Sequence, residues 1–382
     1  MNDNKRLRIL HLVQDEKFTD CIISEFCFFN KMIDNHFVIC GDDYNVNFKY
    51  LKQKDSVIHV SRNELNKYIR EKKINVCILH NLRCASLVTL LRIPKSIKMV
   101  WFAWGADMYQ TPTRNPFIKI DCYKPLTKSF LIQEKHGILE IVKNYIEEIL
   151  LRILVRRVDF FSGCLPIEYN LMKNNMCFKA KALDFSYSRI SDNPNADRHY
   201  SRVSGKNIIV GNSGDMSNNH LDIFEYLKKC DVNDRKIYVP LSYGGSKLYI
   251  DKVKEIGEKY FGNNFIALDT FVPIETYESI ISSCSVCIYG HERQQALGNI
   301  SMGIRTGCKV FLSKTSICYD FFTNIGCHIF SIQEDLTNKV ISKELDENSY
   351  KHNIDVMQRE RSPYVFYNKL KKIIGTFNNV ID

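Results

Sequence analysis

Two runs of short apolar segments, each alternating with helical stretches, restrict the fold of this chain more than any other feature. The first run occupies residues 7–13, 37–40, 56–60, 76–80 and 98–104, and the second occupies residues 207–210, 236–239, 265–268, 285–289 and 309–312. Strands that alternate with helices pair in parallel, and helices cover both faces of such a sheet. The sequence therefore predicts two doubly wound α/β domains, with the polar residues 186–204 as a linker between them.

The length and charge of the chain agree with this organisation. With 382 residues, it can bury two separate cores. The formal net charge of +10 at pH 7 indicates an anionic partner, or a basic surface that is simply well solvated. Charges of both signs are interspersed and no basic tail is present, which argues against nucleic acid as the partner.

A glycine-bearing turn follows the first strand of the second block. It consists of Gly211, Asn212, Ser213, Gly214 and Asp215, and it leads through Asn218, Asn219 and His220 into a helix. The glycines permit a tight turn, and the start of a helix directs N–H groups and a positive dipole end at one point. Such a point suits a phosphate or diphosphate, although turns of this kind also occur without any ligand.

A second polar loop follows the strand at 285–289. It contains Arg293, Gln294, Gln295 and Gly298. Arginine offers a planar fork of donors that fits phosphate oxygens, and the glutamines add neutral donors. Because loops at the carboxyl ends of parallel strands meet at one edge of the sheet, the two loops together predict a nucleotide crevice.

The combination of these motifs resembles the TDP-N-acetylfucosamine:lipid II N-acetylfucosaminyltransferase family. These bacterial glycosyltransferases act in the synthesis of enterobacterial common antigen and related surface glycans. Further matching positions are Pro240, Tyr243 and residues 104–107, 249–253 and 362–364. The similarity is densest between about residues 205 and 335 and thins to scattered matches in the first half.

The resemblance implies a GT-B fold, in which two Rossmann-like doubly wound domains face a cleft. Residues 1–190 would form an acceptor-binding domain with a membrane-facing helix, and residues 205–350 a domain for the nucleotide-sugar donor. Residues 351–382 would form a helical segment that packs back on the first domain. The expected donor-binding residues are Gly211, Asn212, Ser213, Gly214, Asp215, Asn218, Asn219, His220, Tyr243, Arg293, Gln294, Gln295 and Gly298.

The same resemblance implies a hexosyltransferase. Its donor would be a nucleoside-diphosphate sugar, dTDP-linked, carrying a fucose-type or deoxy-amino sugar. Its acceptor would be a polyprenyl-diphosphate-linked saccharide of enterobacterial common antigen or of the O-antigen of lipopolysaccharide. The sequence shows no secretory signal and no apolar run that could span a bilayer, so the expected location is peripheral, on the cytoplasmic face of the bacterial inner membrane.

Neither a cofactor nor a metal is expected. The sequence has no Asp-x-Asp motif, and Arg293 with the loop from Gly211 to His220 could neutralise the departing diphosphate instead. Common retaining GT-B families carry a glutamate in the helix after the second loop, where it binds the ribose hydroxyls. Met302 stands at that position here, which suits a deoxyribose nucleotide.

An inverting transferase also needs a base beside the acceptor hydroxyl. Asp15, after the first strand, and Asp107 are the candidates, and His80 and His291 are weaker ones. Asp15 could instead cap a helix, and Asp107 could instead fix a loop.

The helical stretch at 138–157 is more apolar than a surface helix requires, and it ends in Arg152, Arg156 and Arg157. These arginines, with help from Lys119, Lys124 and Lys128, are predicted to contact anionic lipid headgroups. The alternative is a helix of the first domain that is buried, with its charges solvated.

Two other function classes remain open at this level. One is a nucleotide-sugar epimerase or hydrolase of the same fold, and the other is a non-catalytic nucleotide-sugar-binding partner in a glycan assembly complex. Turnover of a nucleotide sugar with and without a polyprenyl-diphosphate-linked acceptor would distinguish all three.

Overall fold

The computed structural model describes residues 6–16, 18–42, 48–105, 107–109, 117–131, 138–185 and 202–381. The chain divides into two compact units. The first unit comprises Met1–Lys119, Gly137–Asp197 and Ser362–Asp382, and the second comprises Ile120–His136 and Arg198–Arg361.

The described residues form two sheets. The strands of the first unit are β1 (Leu7–Leu12), β2 (Ile33–Cys40), β3 (Val57–Val60), β4 (Val76–His80), β5 (Lys98–Phe102), β6 (Phe160–Ser162) and β7 (Lys181–Ala182). The strands of the second unit are β8 (Asn207–Val210), β9 (Ile237–Pro240), β10 (Phe265–Leu268), β11 (Cys284–Tyr289), β12 (Lys309–Leu312) and β13 (Phe330–Ser331).

Helices lie between and after these strands. Those of the first unit are α1 (Thr19–Cys27), α2 (Leu65–Glu71), α3 (Leu87–Leu91), α5 (Ile138–Val155), α6 (Pro166–Lys173) and α15 (Pro363–Ile381). Those of the second unit are α4 (Pro125–Leu131), α7 (His220–Leu227), α8 (Lys247–Phe261), α9 (Ile274–Ser282), α10 (Leu297–Thr306), α11 (Ile317–Asn324), α12 (Ile332–Asp335), α13 (Asn338–Ile341) and α14 (Glu347–Arg361).

The first sheet has the strand order β3-β2-β1-β4-β5-β6-β7, and every pair is parallel. The central strands β1, β4 and β5 are short and almost entirely buried, as expected for a sheet covered on both faces. One face is covered by α1 and by the last helix of the chain, α15. From α15, Leu370, Ile374 and Phe377 enter the same core as Ile9 and Ile78.

The second sheet has the order β10-β9-β8-β11-β12-β13 and is also parallel throughout. In both sheets, the direction of strand addition reverses once, between β1 and β4 and between β8 and β11. A crevice opens at the carboxyl ends of the two strands that flank such a reversal, and ligands of doubly wound folds bind there.

The strands predicted from sequence are all present, with ends shifted by up to four residues. The short strands β6, β7 and β13 were not predicted, since two or three residues carry no recognisable alternation. The predicted linker at 186–204 falls almost entirely outside the described residues.

The expected domain boundaries differ from the observed units at two places. Residues 120–131 were expected in the first domain but belong to the second unit. The Asp222 carboxylate on α7 attaches them, because it accepts hydrogen bonds from the N–H groups of Leu126 and Thr127 and so caps α4. Residues 351–361 were expected to pack on the first domain. They lie in α14, which contacts α10 of the second unit. Only the part of the terminal segment from Ser362 onward belongs to the first unit.

Candidate functional site: a two-loop site at the strand-order reversal of the second unit

The loop after β8 is a tight turn closed by its own side chains. Gly211 has a φ of +73°, and a Cβ atom there would lie 2.6 Å from Nε2 of His220 and 2.9 Å from Oδ1 of Asn218. Asn218 is fully buried. Its Oδ1 accepts from the N–H of Asn212 at 2.9 Å, and its Nδ2 donates to the Ser213 hydroxyl at 3.1 Å. Glycine is therefore required at position 211, because the backbone φ is positive and no room remains for a Cβ atom.

The loop after β11 is joined to this turn by side-chain hydrogen bonds. Nε2 of His291 donates to Oδ1 of Asn218 at 2.8 Å and to Oδ1 of Asn212 at 3.1 Å. Gln295 donates from Nε2 to Asn212 Oδ1 at 3.1 Å and accepts from the Ser217 hydroxyl at 2.6 Å. The two loops therefore lie in contact, as the sequence predicted. Asn212, Asn218 and Gln295 form this contact.

His291 is held neutral in this arrangement. Burial, together with the nearby positive charge of Arg293, lowers the pKa of His291 well below its ordinary value. Its Nε2 carries the hydrogen because both of its partners are acceptor oxygens, so Nδ1 is an acceptor. That atom is buried and has no hydrogen-bond partner within the described ranges of the chain.

Arg293 is a cation that contacts the junction. Its guanidinium donates to the Gln294 carbonyl at 3.2 Å and, more weakly, to the Ser217 hydroxyl at 3.4 Å. Within the described part of the chain, no carboxylate forms an ion pair with it. A half-exposed guanidinium with two long hydrogen bonds and no counter-ion is suited to bind an anion.

The start of α10 lies beside Arg293. Ala296 takes the left-handed conformation at a φ of +56°, and no side chain caps the helix. The next residues are exposed or half-buried, and Gly298 has open space where a side chain would project. The first N–H groups of this ten-residue helix and its positive dipole end therefore face an open position.

A third loop, after β9, closes the other side of the turn. The Tyr243 hydroxyl accepts from Nδ2 of Asn212 at 3.1 Å, and the Tyr243 carbonyl accepts from the N–H of Gly214 at 2.8 Å. The Tyr243 side chain is 42% exposed. Behind it, Asn299 of α10 donates to the Tyr277 hydroxyl at 2.9 Å.

Sequence reasoning missed a fourth contributor, residues 120–128. Asn219, in the left-handed conformation at a φ of +54°, is its anchor. The Asn219 side chain donates to the carbonyls of Cys122 at 3.1 Å and Gly290 at 2.7 Å, and it accepts from the N–H of Lys124 at 2.9 Å. The ammonium of Lys124 then pairs with the buried carboxylate of Glu292 at 2.8 Å. No local sequence signal marks these contacts, which join residues about a hundred or more positions apart.

The predicted donor-binding residues thus fall into two groups. The first group is buried and comprises Gly211, Ser213, Gly214, Asn218, Asn219, His220 and Gln294. Within it, the side chains of Asn218 and Asn219 form hydrogen bonds to the loop after β11. Burial lowers the pKa of His220 to about 3, so this residue is a neutral part of the scaffold. The residues with exposed or half-buried side chains, which can contact a ligand directly, are Asn212, Asp215, Tyr243, Arg293 and Gln295, to which the open face of Gly298 is added.

The two candidate bases lie in the first unit, and both accept hydrogen bonds from backbone amides. Asp15 accepts from the N–H groups of Lys49, Tyr50 and Leu51 at 2.6–2.9 Å. Burial alone would raise the pKa of Asp15, but these three donors outweigh it and hold the pKa below its ordinary value. A carboxylate stabilised in this way is a weak base and a good loop anchor.

Asp107 is only 2% exposed. Its oxygens accept from the N–H groups of Leu82 and Trp104 and from the indole of Trp101, at 2.8–3.0 Å. Burial raises the pKa of Asp107 in spite of these donors. This geometry corresponds to the alternative in which Asp107 fixes a loop. His80 is also fully buried, against His11, with its pKa well below the ordinary value because of burial.

The three arginines at the end of α5 are not equivalent. Arg157 donates to the carbonyls of Leu91 and Ile93 at 2.8 Å, which fixes the end of α3. Arg152 pairs with Glu148 one turn earlier, and only Arg156 is fully exposed. Two of the three predicted lipid contacts therefore have local partners.

The exposed feature of α5 is apolar. Leu139, Val142, Ile146, Ile149 and Ile153 are each between 42% and 87% exposed. Their spacing of three and four residues puts them on one side of the helix, and we call them the apolar stripe. The opposite side, with Leu151, Leu154 and Val155, is buried. Among the described helices, none is both long and apolar enough to span a bilayer.

Solved glycosyltransferases share this architecture. A sucrose-phosphate synthase from Thermosynechococcus elongatus aligns over 97% of this chain and 100% of its own length, with 8% identity and a TM-score of 0.62. The lipopolysaccharide outer core galactosyltransferase WaaB aligns over 97% and 99%, with 11% identity and a TM-score of 0.60. An alpha-glucosyltransferase solved with UDP and DNA aligns over 98% and 99%, with 11% identity and a TM-score of 0.51.

Two parallel Rossmann-like units with these structural neighbours define a GT-B glycosyltransferase, as the sequence predicted. The model of the family described as 4-alpha-L-fucosyltransferase, glycosyl transferase group 56, matches residues 149–356. The chain belongs to this family, which confirms the resemblance seen in its motifs. The epimerase, hydrolase and non-catalytic alternatives are thereby set aside.

Proposed function

We propose that this glycosyltransferase moves a fucose-type or deoxy-amino sugar from a dTDP-linked donor to a polyprenyl-diphosphate-linked saccharide in the synthesis of a bacterial surface glycan. The assembly of enterobacterial common antigen or of O-antigen is the proposed setting. The observation that carries the donor half is the junction of the two loops at the strand-order reversal of the second unit. There, Arg293 donates to Ser217 of the first loop and lies four residues before the uncapped start of α10, where Gly298 has open space beside it.

The chemistry follows from the charges at this position. Transfer breaks the bond between the anomeric carbon and the diphosphate oxygen, forms a bond to the acceptor oxygen, and leaves negative charge on the nucleoside diphosphate. Arg293 and the N–H groups of α10 stabilise that charge, and Gln295 and Asn212 add neutral donors. In this mechanism no metal takes part.

The type of nucleoside in the donor is proposed from the side chains on α10 and in the loops beside it. Met302 lies in the second turn of α10 and is 8% exposed, and it provides no carboxylate for ribose hydroxyls. The exposed ring of Tyr243 beside Asn212 offers an aromatic surface of the kind on which nucleobases stack. Both features suit a deoxyribose nucleotide with a planar base.

The apolar stripe of α5 supports a peripheral position on a membrane that carries the acceptor. Its residues would enter the headgroup region, while the exposed Lys143 and Arg156 and the net charge of +10 favour an anionic surface. The proposed location is the cytoplasmic face of the bacterial inner membrane.

The decisive experiment measures sugar transfer with a panel of nucleotide sugars. Each dTDP- and UDP-linked sugar is incubated with the protein and a polyprenyl-diphosphate-linked saccharide, and the same saccharide without the lipid serves as the control. The proposal expects transfer from a dTDP-linked deoxy sugar to the lipid-linked acceptor only. Equal transfer from UDP sugars would contradict the donor assignment, and equal transfer to the free saccharide would contradict the acceptor assignment.

A further inference from the structure

We propose that Arg83 in the first unit binds the diphosphate group of the polyprenyl-linked acceptor. The inference rests on the proposed function for the class of acceptor. It goes beyond that function because it gives the acceptor diphosphate its own protein partner, separate from the donor site in the second unit.

Arg83 lies where a doubly wound sheet binds its ligand. It follows β4, and β4 and β1 flank the reversal of strand order in the first sheet. The loops at this edge are joined to one another. Gln14, after β1, donates to the Arg83 carbonyl at 2.8 Å, and Asp107, after β5, accepts from the N–H of Leu82 at 3.0 Å. The backbone that carries Arg83 is therefore fixed from both sides.

The guanidinium of Arg83 is incompletely paired. One terminal nitrogen lies 3.1 Å from Oε1 of Glu147 on α5, and the side chain as a whole is 27% exposed. The Nε–H group is buried and has no hydrogen-bond partner among the residues that the structure describes. A buried, unsatisfied N–H on a cation is costly unless a ligand supplies the acceptor, and phosphate oxygens fit the arginine fork best.

The surroundings of Arg83 match the order of groups in a lipid-linked sugar. Asp107 connects the Leu82–Arg83 loop to Trp104, whose ring meets that of Phe18 at 6.2 Å between centroids. Phe18 is 39% exposed, and exposed aromatic rings provide an apolar face for a sugar ring. Glu147, the ion-pair partner of Arg83, directly follows Ile146 of the apolar stripe, where an isoprenoid chain or the lipid around it would lie. Sugar, diphosphate and isoprenoid thus each have a neighbouring surface of matching chemistry.

Comparing the loss of Arg83 with the loss of its partner Glu147 tests the proposal. If Arg83 only forms an ion pair with Glu147, removing either partner has the same effect on ligand binding. If Arg83 binds a diphosphate, Glu147 competes with the ligand. Losing Arg83 then weakens binding, while losing Glu147 leaves binding unchanged or makes it tighter.

The experiment measures equilibrium binding of farnesyl diphosphate to the full-length protein by calorimetry, with the donor site saturated by dTDP. Arg83→Gln is expected to weaken binding roughly ten- to a hundredfold, the effect of losing a charged hydrogen bond. Glu147→Gln should bind as well as the parent protein or better. Arg62→Gln removes an arginine from an exposed ion pair with Asp42 in the same unit, and it should bind like the parent. Inorganic diphosphate in place of the lipid distinguishes a general anion site from one that also uses the isoprenoid.

The result that would overturn the proposal is equal weakening in Arg83→Gln and Glu147→Gln, or no binding of farnesyl diphosphate by the parent protein. Thermal unfolding and dTDP affinity of each variant show whether the fold and the donor site are intact. If Arg83→Gln does not fold, Arg83→Lys replaces it, because lysine keeps the positive charge but lacks the planar pair of donors. Unchanged affinity for farnesyl diphosphate in Arg83→Lys would count against the proposal. If farnesyl diphosphate binds through Arg83 but no sugar reaches a lipid-linked acceptor, the acceptor assignment fails while the anion site stands.

Discussion

At the scale of single residues, Arg293 is the group on which the donor site depends most. Its guanidinium has no carboxylate partner among the described residues and only long hydrogen bonds to Ser217 and Gln294. We expect Arg293→Ala to weaken dTDP binding or turnover roughly ten- to a hundredfold, the effect of losing a charged hydrogen bond worth about 1.5–3 kcal/mol. Arg293→Lys should restore only part of this, since an ammonium cannot bind two oxygens in a plane.

Calorimetry with dTDP and steady-state rates with the donor sugar measure this effect. Lys252→Ala is the matched control, because Lys252 lies in the same unit and pairs only with Glu255 on the surface of α8. If Arg293→Ala binds dTDP as tightly and reacts as fast as Lys252→Ala, then Arg293 only stabilises the loop.

Glu168 in the first unit is expected to make stability depend on pH. Burial raises the pKa of Glu168 from 4.5 to about 7, although Tyr109 and the N–H of Leu165 donate to its carboxyl group at 2.5 and 2.8 Å. Between these two values, the folded state binds more protons than the unfolded state, so stability falls as pH rises from about 4.5 to about 7. The full difference is on the order of 3 kcal/mol.

Glu168→Gln removes the titration, so its stability should change less over this interval. Denaturant unfolding of both proteins between pH 5 and 8 gives the comparison, with the half-exposed Glu148→Gln as a control for the loss of a carboxylate. A difference in unfolding free energy between parent and Glu168→Gln that stays constant across this range would contradict the assignment.

At the scale of elements, two glycines in the same site have separable roles. Gly211→Ala should lower stability by several kcal/mol, because the φ of +73° is unfavourable for alanine and its Cβ would lie 2.6 Å from His220. Gly298→Ala meets nothing within 4 Å and lies within α10, so stability should stay the same or rise by up to about 1 kcal/mol. If the donor diphosphate lies at the start of α10, the added methyl group should still weaken dTDP binding.

Thermal unfolding and dTDP titration of the two variants separate these effects. A Gly298→Ala protein with unchanged dTDP affinity would place the diphosphate away from α10. A Gly211→Ala protein of normal stability would show that the turn can relax around the added methyl group.

The structure changes which residues of α5 are predicted to contact the membrane. Sequence alone pointed to Arg152, Arg156 and Arg157, but Arg157 fixes the end of α3 and its loss should cost stability. The changes to test are Ile146→Ser, Ile149→Ser and Ile153→Ser together, since these side chains are exposed. Each should contribute roughly 1–3 kcal/mol when buried in the lipid interface, so the triple variant should no longer float with anionic vesicles.

Flotation with vesicles of increasing anionic lipid content measures this binding, and high salt should weaken it in the parent. Lys67→Ser, Arg70→Ser and Glu71→Ser on α2 form the matched control for three surface changes on a helix. If the α5 variant folds normally and floats like the control, then the apolar stripe does not contact the membrane.

The same comparison shows what the sequence can specify. Strands such as β4 and β11 were predicted well because every residue in them is buried, which leaves a continuous apolar run. The junction of the two loops was predicted from their place after β8 and β11. Residues 120–128 were missed because Asn219 and Asp222 attach them through contacts that leave no local pattern. Asp15 accepts from three backbone amides, and Asp107 accepts from two backbone amides and the Trp101 indole, and no sequence pattern reveals these partners.

At the scale of the whole molecule, the proposed reaction divides its chemistry between the two units. The second carries the junction of polar loops with Arg293, and the first carries Arg83, the aromatic pair and the apolar stripe. In each unit, these residues lie at the carboxyl edge of the sheet where strand order reverses, or they are joined to that edge by side-chain contacts. The two sheets nevertheless share no sequence motif. The topology therefore determines where ligands can bind, and the loop residues determine which ligands they are.

Metal independence is a prediction about the whole reaction. In the proposed mechanism, Arg293 and the first N–H groups of α10 stabilise the charge that a divalent cation stabilises in other transferases. We therefore expect sugar transfer to keep its full rate in EDTA. The assay compares initial rates of the parent protein with EDTA, with magnesium and with manganese, and Arg293→Ala is assayed in parallel. A parent rate that EDTA abolishes and magnesium or manganese restores would assign the leaving-group charge to a cation and remove that role from Arg293 and α10.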